Sequence, residues 1–143
     1  MDGASTNPMF ISATDRVAAI ATDKSHIYWA GTSSVSPYPS AIGRADIDGS
    51  NVQPELFPVP SFSSGVAVDS SYLYWTEASN GTIGRANLDG TNPEPNFITG
   101  LNAPLGIAVD GAHIYWADHG TGGAGTGRIG EADLTGTSSL PVS

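Results

Sequence analysis

The chain has 143 residues, the size of one ordinary domain, and its 18 Gly and 10 Pro with only 13% charged residues suit many short strands and turns, not a helical bundle. Five basic against 14 acidic residues give a net charge of −9, which argues against DNA or an anionic membrane surface as a partner. The absence of cysteine excludes disulfides, cysteine–zinc sites and thiol catalysis, and no stretch approaches the ~20 apolar residues of a membrane span. The N-terminus MDGASTNP lacks a basic region followed by an apolar core, so no signal peptide is expected in this chain.

In chain order, the first predicted element is a strand around Met9-Phe10-Ile11, placed seven residues after the Asp2-Gly3 turn signal. An apolar run then closes at Asp23, and Ile27-Tyr28-Trp29 follows as a second strand. Ile42-Gly43 and Ala45 mark a third strand, which ends at the Asp48-Gly49 turn. Glycine accepts the positive φ that such a turn needs. The same order returns with Asp69, Tyr74-Trp75, Ile83-Gly84, Ala86 and Asp89-Gly90, and again with Asp110, Tyr115-Trp116, Ile129-Gly130, Ala132 and Thr135-Gly136. Tryptophans stand 46 and then 41 residues apart, each with an aspartate six residues before it. Each unit thus predicts four strands, a to d, in 40 to 45 residues, and that is the period of a β-propeller blade.

The stretches LYWTEASNGTIGRANLDG and IYWADHG resemble the YWTD repeats of the low-density lipoprotein receptor family, which build six-bladed propellers. Only the third unit keeps the final Asp, as Tyr115-Trp116-Ala117-Asp118; the first has Gly31 and the second Glu77 there. The resemblance implies that the repeated Tyr, Trp and Asp are packing and turn residues, and it slightly favours a secreted protein. The expected architecture is all-β, a single half-propeller domain over 1–143. Its units in register are 2–47, 48–88 and 89–134, with a tail at 135–143. Three four-stranded blades do not close a ring, and a half-ring would leave apolar blade faces bare. The expectation is a homodimer closed as a six-bladed ring, each N-terminal strand completing the third blade of its neighbour. A fragment of a longer propeller is the rival account. In the dimer the outer tryptophans, Trp29 and Trp116, complete their surroundings only on assembly.

Candidate chemistry is sparse. His26 and His113 share a repeat position with Tyr72 and are expected at the surface or in packing. Asp118-His119, with Arg128 after it, is the one concentrated polar group, suited to a divalent metal or proton transfer and equally to an incidental glycine-rich loop. GTGGAGTG is no phosphate loop, because no Lys-Ser/Thr and no helix follow it. Asp46, Asp48, Asp89 and Asp133 are expected to cap their own turns. Long loops, Ala30 to Ala41 and Ala117 to Arg128, separate strands b and c in the outer units, against a short turn in the middle one. Tyr38, between Pro37 and Pro39, offers a rigid aromatic surface there. The expected function is a non-enzymatic binding or scaffold module, without a cofactor, whose protein or small-molecule ligand meets Tyr38, Asp118, His119 and Arg128 at the chain junctions. Two alternatives stay open. One is a metal-assisted lyase, since GVAVDSSYLYWTEASNGTIGR is also similar to the repeats of streptogramin (virginiamycin B) lyases. The other is a purely structural or engineered ring.

Overall fold

The computed structural model describes residues 6–13, 16–120, 122 and 125–137. Eleven strands form three antiparallel sheets, and no helix occurs among the described residues. The first sheet holds β1 (Val17–Thr22), β2 (His26–Thr32), β3 (Ser40–Asp46) and β4 (Gln53–Val59), in that order. The second holds β5 (Ser63–Val68), β6 (Tyr72–Glu77), β7 (Thr82–Asn87) and β8 (Glu94–Ile98). The third has three strands, β9 (Pro104–Val109), β10 (His113–Asp118) and β11 (Arg128–Asp133). The first strands, β1, β5 and β9, lie side by side, so each sheet is a blade with strand a innermost and strand d outermost. The fold is a β-propeller, as the repeat period predicts.

Two turns of each blade are built by its own side chains. Between strands a and b, one oxygen of Asp23, Asp69 or Asp110 accepts the N–H groups two and three residues on, at 2.6 to 2.9 Å. The other oxygen accepts the hydroxyl of Tyr28, Tyr74 or Tyr115 at 3.1, 2.9 and 3.4 Å. The tyrosine five residues after the aspartate is therefore a latch from strand b back to the turn. Between strands c and d, Gly49, Gly90 and Gly136 hold φ of 86°, 84° and 82°, which an L side chain rarely adopts. Asp48 and Asp89 accept the N–H and hydroxyl of Ser50 and Thr91, and Asp133 does the same for Thr135, as expected of turn carboxylates.

The Ile-Gly-x-Ala pattern of strand c has a packing cause. Trp29, Trp75 and Trp116 pair in register with Gly43, Gly84 and Gly130, and each indole lies over that glycine, where any Cβ would run into it. The ring thus lies flat on its own blade. The face so made is Leu73, Trp75 and Ala86 in the second blade, and Tyr28, Ile42 and Phe57 of the first blade pack on it. The Phe57 and Trp75 rings are 5.1 Å apart and tilted at 57°. One blade on, Tyr74, Ile83 and Ile98 pack on Ile114, Trp116 and Ala132 in the same way.

The N-terminal segment departs from expectation in conformation but not in place. Met9 and Phe10 lie in a turn and bend, and no strand forms there, because an outer strand needs an edge to pair with and none of the described strands pairs with this segment. Ile11 and Ala13 nevertheless pack on Ile27, Trp29 and Ala45. Trp29 is therefore buried within a single chain, and Trp116 is buried against the second blade. The Asp2-Gly3 turn and the tail beyond Thr137 lie outside the described residues.

Trp75, 1% exposed at the centre of the larger core, is the residue on which two blades meet. Trp75→Ala is expected to cost about 3–5 kcal/mol in urea unfolding. A loss below about 1 kcal/mol would contradict this packing.

Candidate functional site

One end of the blades gathers the starts of strands a and c, the ends of b and d, and the loops between them. There the b–c connection is residues 33–39 in the first blade and 119–127 in the third, against only 78–81 in the second. This is the long-loop face that the spacing of the repeats predicts, and all four candidate site residues lie on it.

Tyr38 is exposed in the first loop, its N–H bonded to the Val35 carbonyl at 2.9 Å. A carboxylate from strand d braces this loop. Glu55 on β4 accepts the Ser33 hydroxyl at 3.1 Å and the N–H and hydroxyl of Ser34 at 2.6 and 2.7 Å. These bonds hold the Glu55 pKa below the ordinary carboxylate range. In the third blade, Asp118 ends β10 directly opposite Arg128 on β11. Burial pushes the Asp118 pKa up, against the Asn102 backbone N–H, the nearby Trp116 indole and the charge of Arg128, although the indole N–H is not within hydrogen-bonding geometry of it. His119 is exposed, with its N–H on the Ala103 carbonyl at 3.2 Å. The structure thus brings Asp118 and Arg128 together with His119 beside them. It leaves Tyr38 apart, on the far side of the second blade.

No group of three His, Asp or Glu side chains that could hold a metal ion occurs among the described residues. The other histidines, His26 and His113, are half-buried beside the turns between strands a and b. His26 lies 3.7 Å from both Asp23 and Asp46, and His113 lies 4.0 Å from Asp110. Each ring is tilted against the tyrosine latch of its own strand.

Two features escaped the sequence. A cavity of about 180 Å³ opens on this same face, lined by Arg16, Thr32, Ser40, Phe62 and Ser64 among others. Its signal is Phe62, a large apolar residue in the proline- and serine-rich linker PVPSFSSG, where 59% of it stays exposed. Glu77, at the last position of the second YWTD-like motif, is fully buried and accepts the Trp75 indole N–H and the Asn80 amide, both at 2.9 Å. A glutamate therefore accepts the indole hydrogen bond at that place. The buried indole N–H groups of Trp29, with Gly31 at that place, and of Trp116, with Asp118, have no partner.

With this arrangement in view, the comparisons with known proteins can be stated. Residues 71–110 match the low-density lipoprotein receptor repeat class B. The class B repeat spans β6 to β9, from the tyrosine latch and Trp75 through Gly84 to the aspartate of the next turn. A chain in the crystal structure of a nidogen/laminin complex aligns over 85% of this chain at 26% identity, with a TM-score of 0.71. Kuenenia stuttgartiensis hydrazine synthase aligns over 94% at 18% identity and a TM-score of 0.62, and the computationally designed Ika4 protein over 93% at 16% and 0.63. The last two show the fold alone. The chain spans 45% of the nidogen/laminin-complex chain, 36% of the hydrazine synthase chain and 78% of Ika4. No curated protein matches.

The carboxylates divide into two groups with opposite pH signatures. Hydrogen bonds from the Ser50, Thr91 and Thr135 hydroxyls and from the Ala112 and His113 backbone hold Asp48, Asp89, Asp133 and Asp110 low; at Asp23, burial opposes the charge but the bonds from Ser25, His26 and Tyr28 outweigh it. Groups with lowered pKa stabilise the fold above their unfolded values of about 4 and lose that contribution as pH falls. Burial raises Glu77, so its contribution runs the other way, present at low pH and lost as pH rises through its folded pKa. Urea unfolding is therefore expected to show stability falling from about pH 4 downward. The stability difference between Glu77→Gln and wild type should change above that range, moving in favour of wild type as pH falls through the raised Glu77 pKa toward about 4.5, and should level off below it, where Glu77 is protonated folded and unfolded. A difference that is flat with pH would contradict a raised Glu77.

Proposed function

We propose that this chain is a non-enzymatic binding or scaffold propeller whose partner, a protein, docks on the long-loop face. The single observation that carries this reading is the concentration of chemistry at that one end. The braced loop 33–39, the exposed aromatics Tyr38 and Phe62, the cavity beside Arg16 and the Asp118–Arg128 pair with His119 all lie there. The opposite end is occupied by tight turns whose carboxylates are spent on their own backbone. Loops on a rigid scaffold are where binding residues concentrate, and exposed aromatics beside an arginine are the usual anchors of a protein interface. The class B repeat match and the likeness to a chain crystallised in a nidogen/laminin complex support a protein as the partner.

In a six-bladed ring of two chains, the loop 33–39 of one chain would stand beside the loop 119–127 of the other. The ring would then carry two composite sites, each joining Tyr38 of one chain to Asp118, His119 and Arg128 of the next. A displayed library of peptides and small domains, selected against wild type, supplies the probe. Binders should lose at least about tenfold in affinity for the Tyr38→Ala/His119→Ala variant, as for an interface anchor. Equal binding to both proteins would place the site elsewhere.

A further inference from the structure

The first and third blades end in faces that fit one another. Leu56 of β4 lies against Gly90, and Phe97 of β8 lies against Gly136, so each outer strand rests on the c–d turn of the following blade. Phe10 lies against Gly49 in the same manner. Next to these residues, Phe57 packs in the core over Trp75 and Ile98 in that over Trp116, and Ile11 packs over Trp29. The segment Asn7 to Ala13 therefore stands where the outer strand of a preceding blade belongs.

The third blade lacks that strand. Among the described residues nothing pairs with the outer edge of β11. Ile129 is 72% exposed, although its counterparts Ile42 and Ile83 are fully buried. Gly65, in strand a of the second blade, is needed because the Leu105 carbonyl of the third blade lies against it. Its counterpart Gly106 has negative φ, faces open space and meets nothing within 4 Å. At the other end of the chain, Ile20 is 67% exposed, whereas its counterpart Val66 is 5% exposed under the preceding blade.

We propose that a second copy of this chain covers these faces, and that the segment Asn7–Ala13 of each copy pairs with β11 of the other. This closes a two-fold ring of six blades and rests on the same ring that sets the composite sites above. The register follows from the two complete blades. Ile42 faces Phe57 and Ile83 faces Ile98, so Ile129 faces Ile11 of the second copy. Arg44 faces Gln53 and Arg85 faces Glu94, which places Glu131 opposite Asn7. Hydrogen bonds join both complete pairs, with an arginine as the donor. In the third blade the strand-c residue is a carboxylate, and the facing residue is one whose amide can donate to it. An unpaired strand edge is a template for such addition, and a two-fold operator covers both ends at once.

The chain has no cysteine, so cysteines can be placed at will. Ile11→Cys and Ile129→Cys chains, mixed and oxidised, are expected to give covalent heterodimers, while light scattering of wild type gives twice the chain mass of 14.6 kDa. Ile129→Arg changes a residue already exposed in the single chain, so it should keep its strand spectrum and tryptophan fluorescence while the dimer dissociation constant rises at least about 100-fold. A monodisperse wild-type monomer would overturn the proposal, as would open-ended oligomers. A double-cysteine chain that links only within itself would also overturn it, since the segment would then close its own third blade. If the dimer forms in this register but the loop variant binds its selected partners as wild type does, the binding reading fails and the assembly stands. Loss of the dimer with loop binding intact gives the reverse.

Discussion

The indole laid over a glycine is the contact on which the rest of this structure depends. A Cβ on Gly43, Gly84 or Gly130 would lift the tryptophan off its own sheet. The blade face would then no longer be flat enough to receive the tyrosine, isoleucine and outer-strand residue of its neighbour. Burying one such aromatic removes 150–250 Å² from water, worth roughly 4–6 kcal/mol in transfer terms. That exceeds any single turn hydrogen bond by several-fold. The Asp–Tyr latch acts on the same face from the other side. It fixes the tyrosine ring, which is the knob entering the next blade, and burial with the Asp23 charge beside it pushes the Tyr28 hydroxyl to a pKa of about 12.

Because each blade presents one face and receives another, the module has a direction, and direction makes the ends unequal. The front of the first blade is covered at Trp29 by the chain's own N-terminal segment, whereas the back of the third is bare at Ile129. The loop face inherits this polarity. Its two long loops belong to the two outer blades, the ones that the proposed ring would bring together.

Much of this was legible from spacing. Aspartate and tryptophan at a constant offset, with the recurring Gly-x-Ala and Asp/Thr-Gly, predicted the strands and turns, and the unequal spacing from Trp to Gly-x-Ala predicted the long-loop face. The Asn7–Ala13 segment was legible in place but not in conformation, since strand geometry depends on a partner edge that one chain does not supply. The candidate site was legible only in part. Asp118 and Arg128 meet because they face each other across one hairpin, which spacing can show. Tyr38 is not brought near them within a chain, and the Phe62 cavity was invisible, because it forms where a linker crosses between two blades and no repeated residue marks it. Glu77 reads in the sequence only as a departure from the final Asp of the motif, since the reach of the longer carboxylate to the indole shows only in three dimensions.

The central claim is that every blade of the working protein has four strands and no bare face. Backbone hydrogen exchange along β11, followed as a function of protein concentration, tests it most directly. At concentrations where the ring is closed, the amides of Arg128 to Asp133 should exchange as slowly as those of β3 and β7, and they should quicken on dilution while β7 stays protected. Fast exchange in β11 at every concentration, beside protected β3 and β7, would contradict the account.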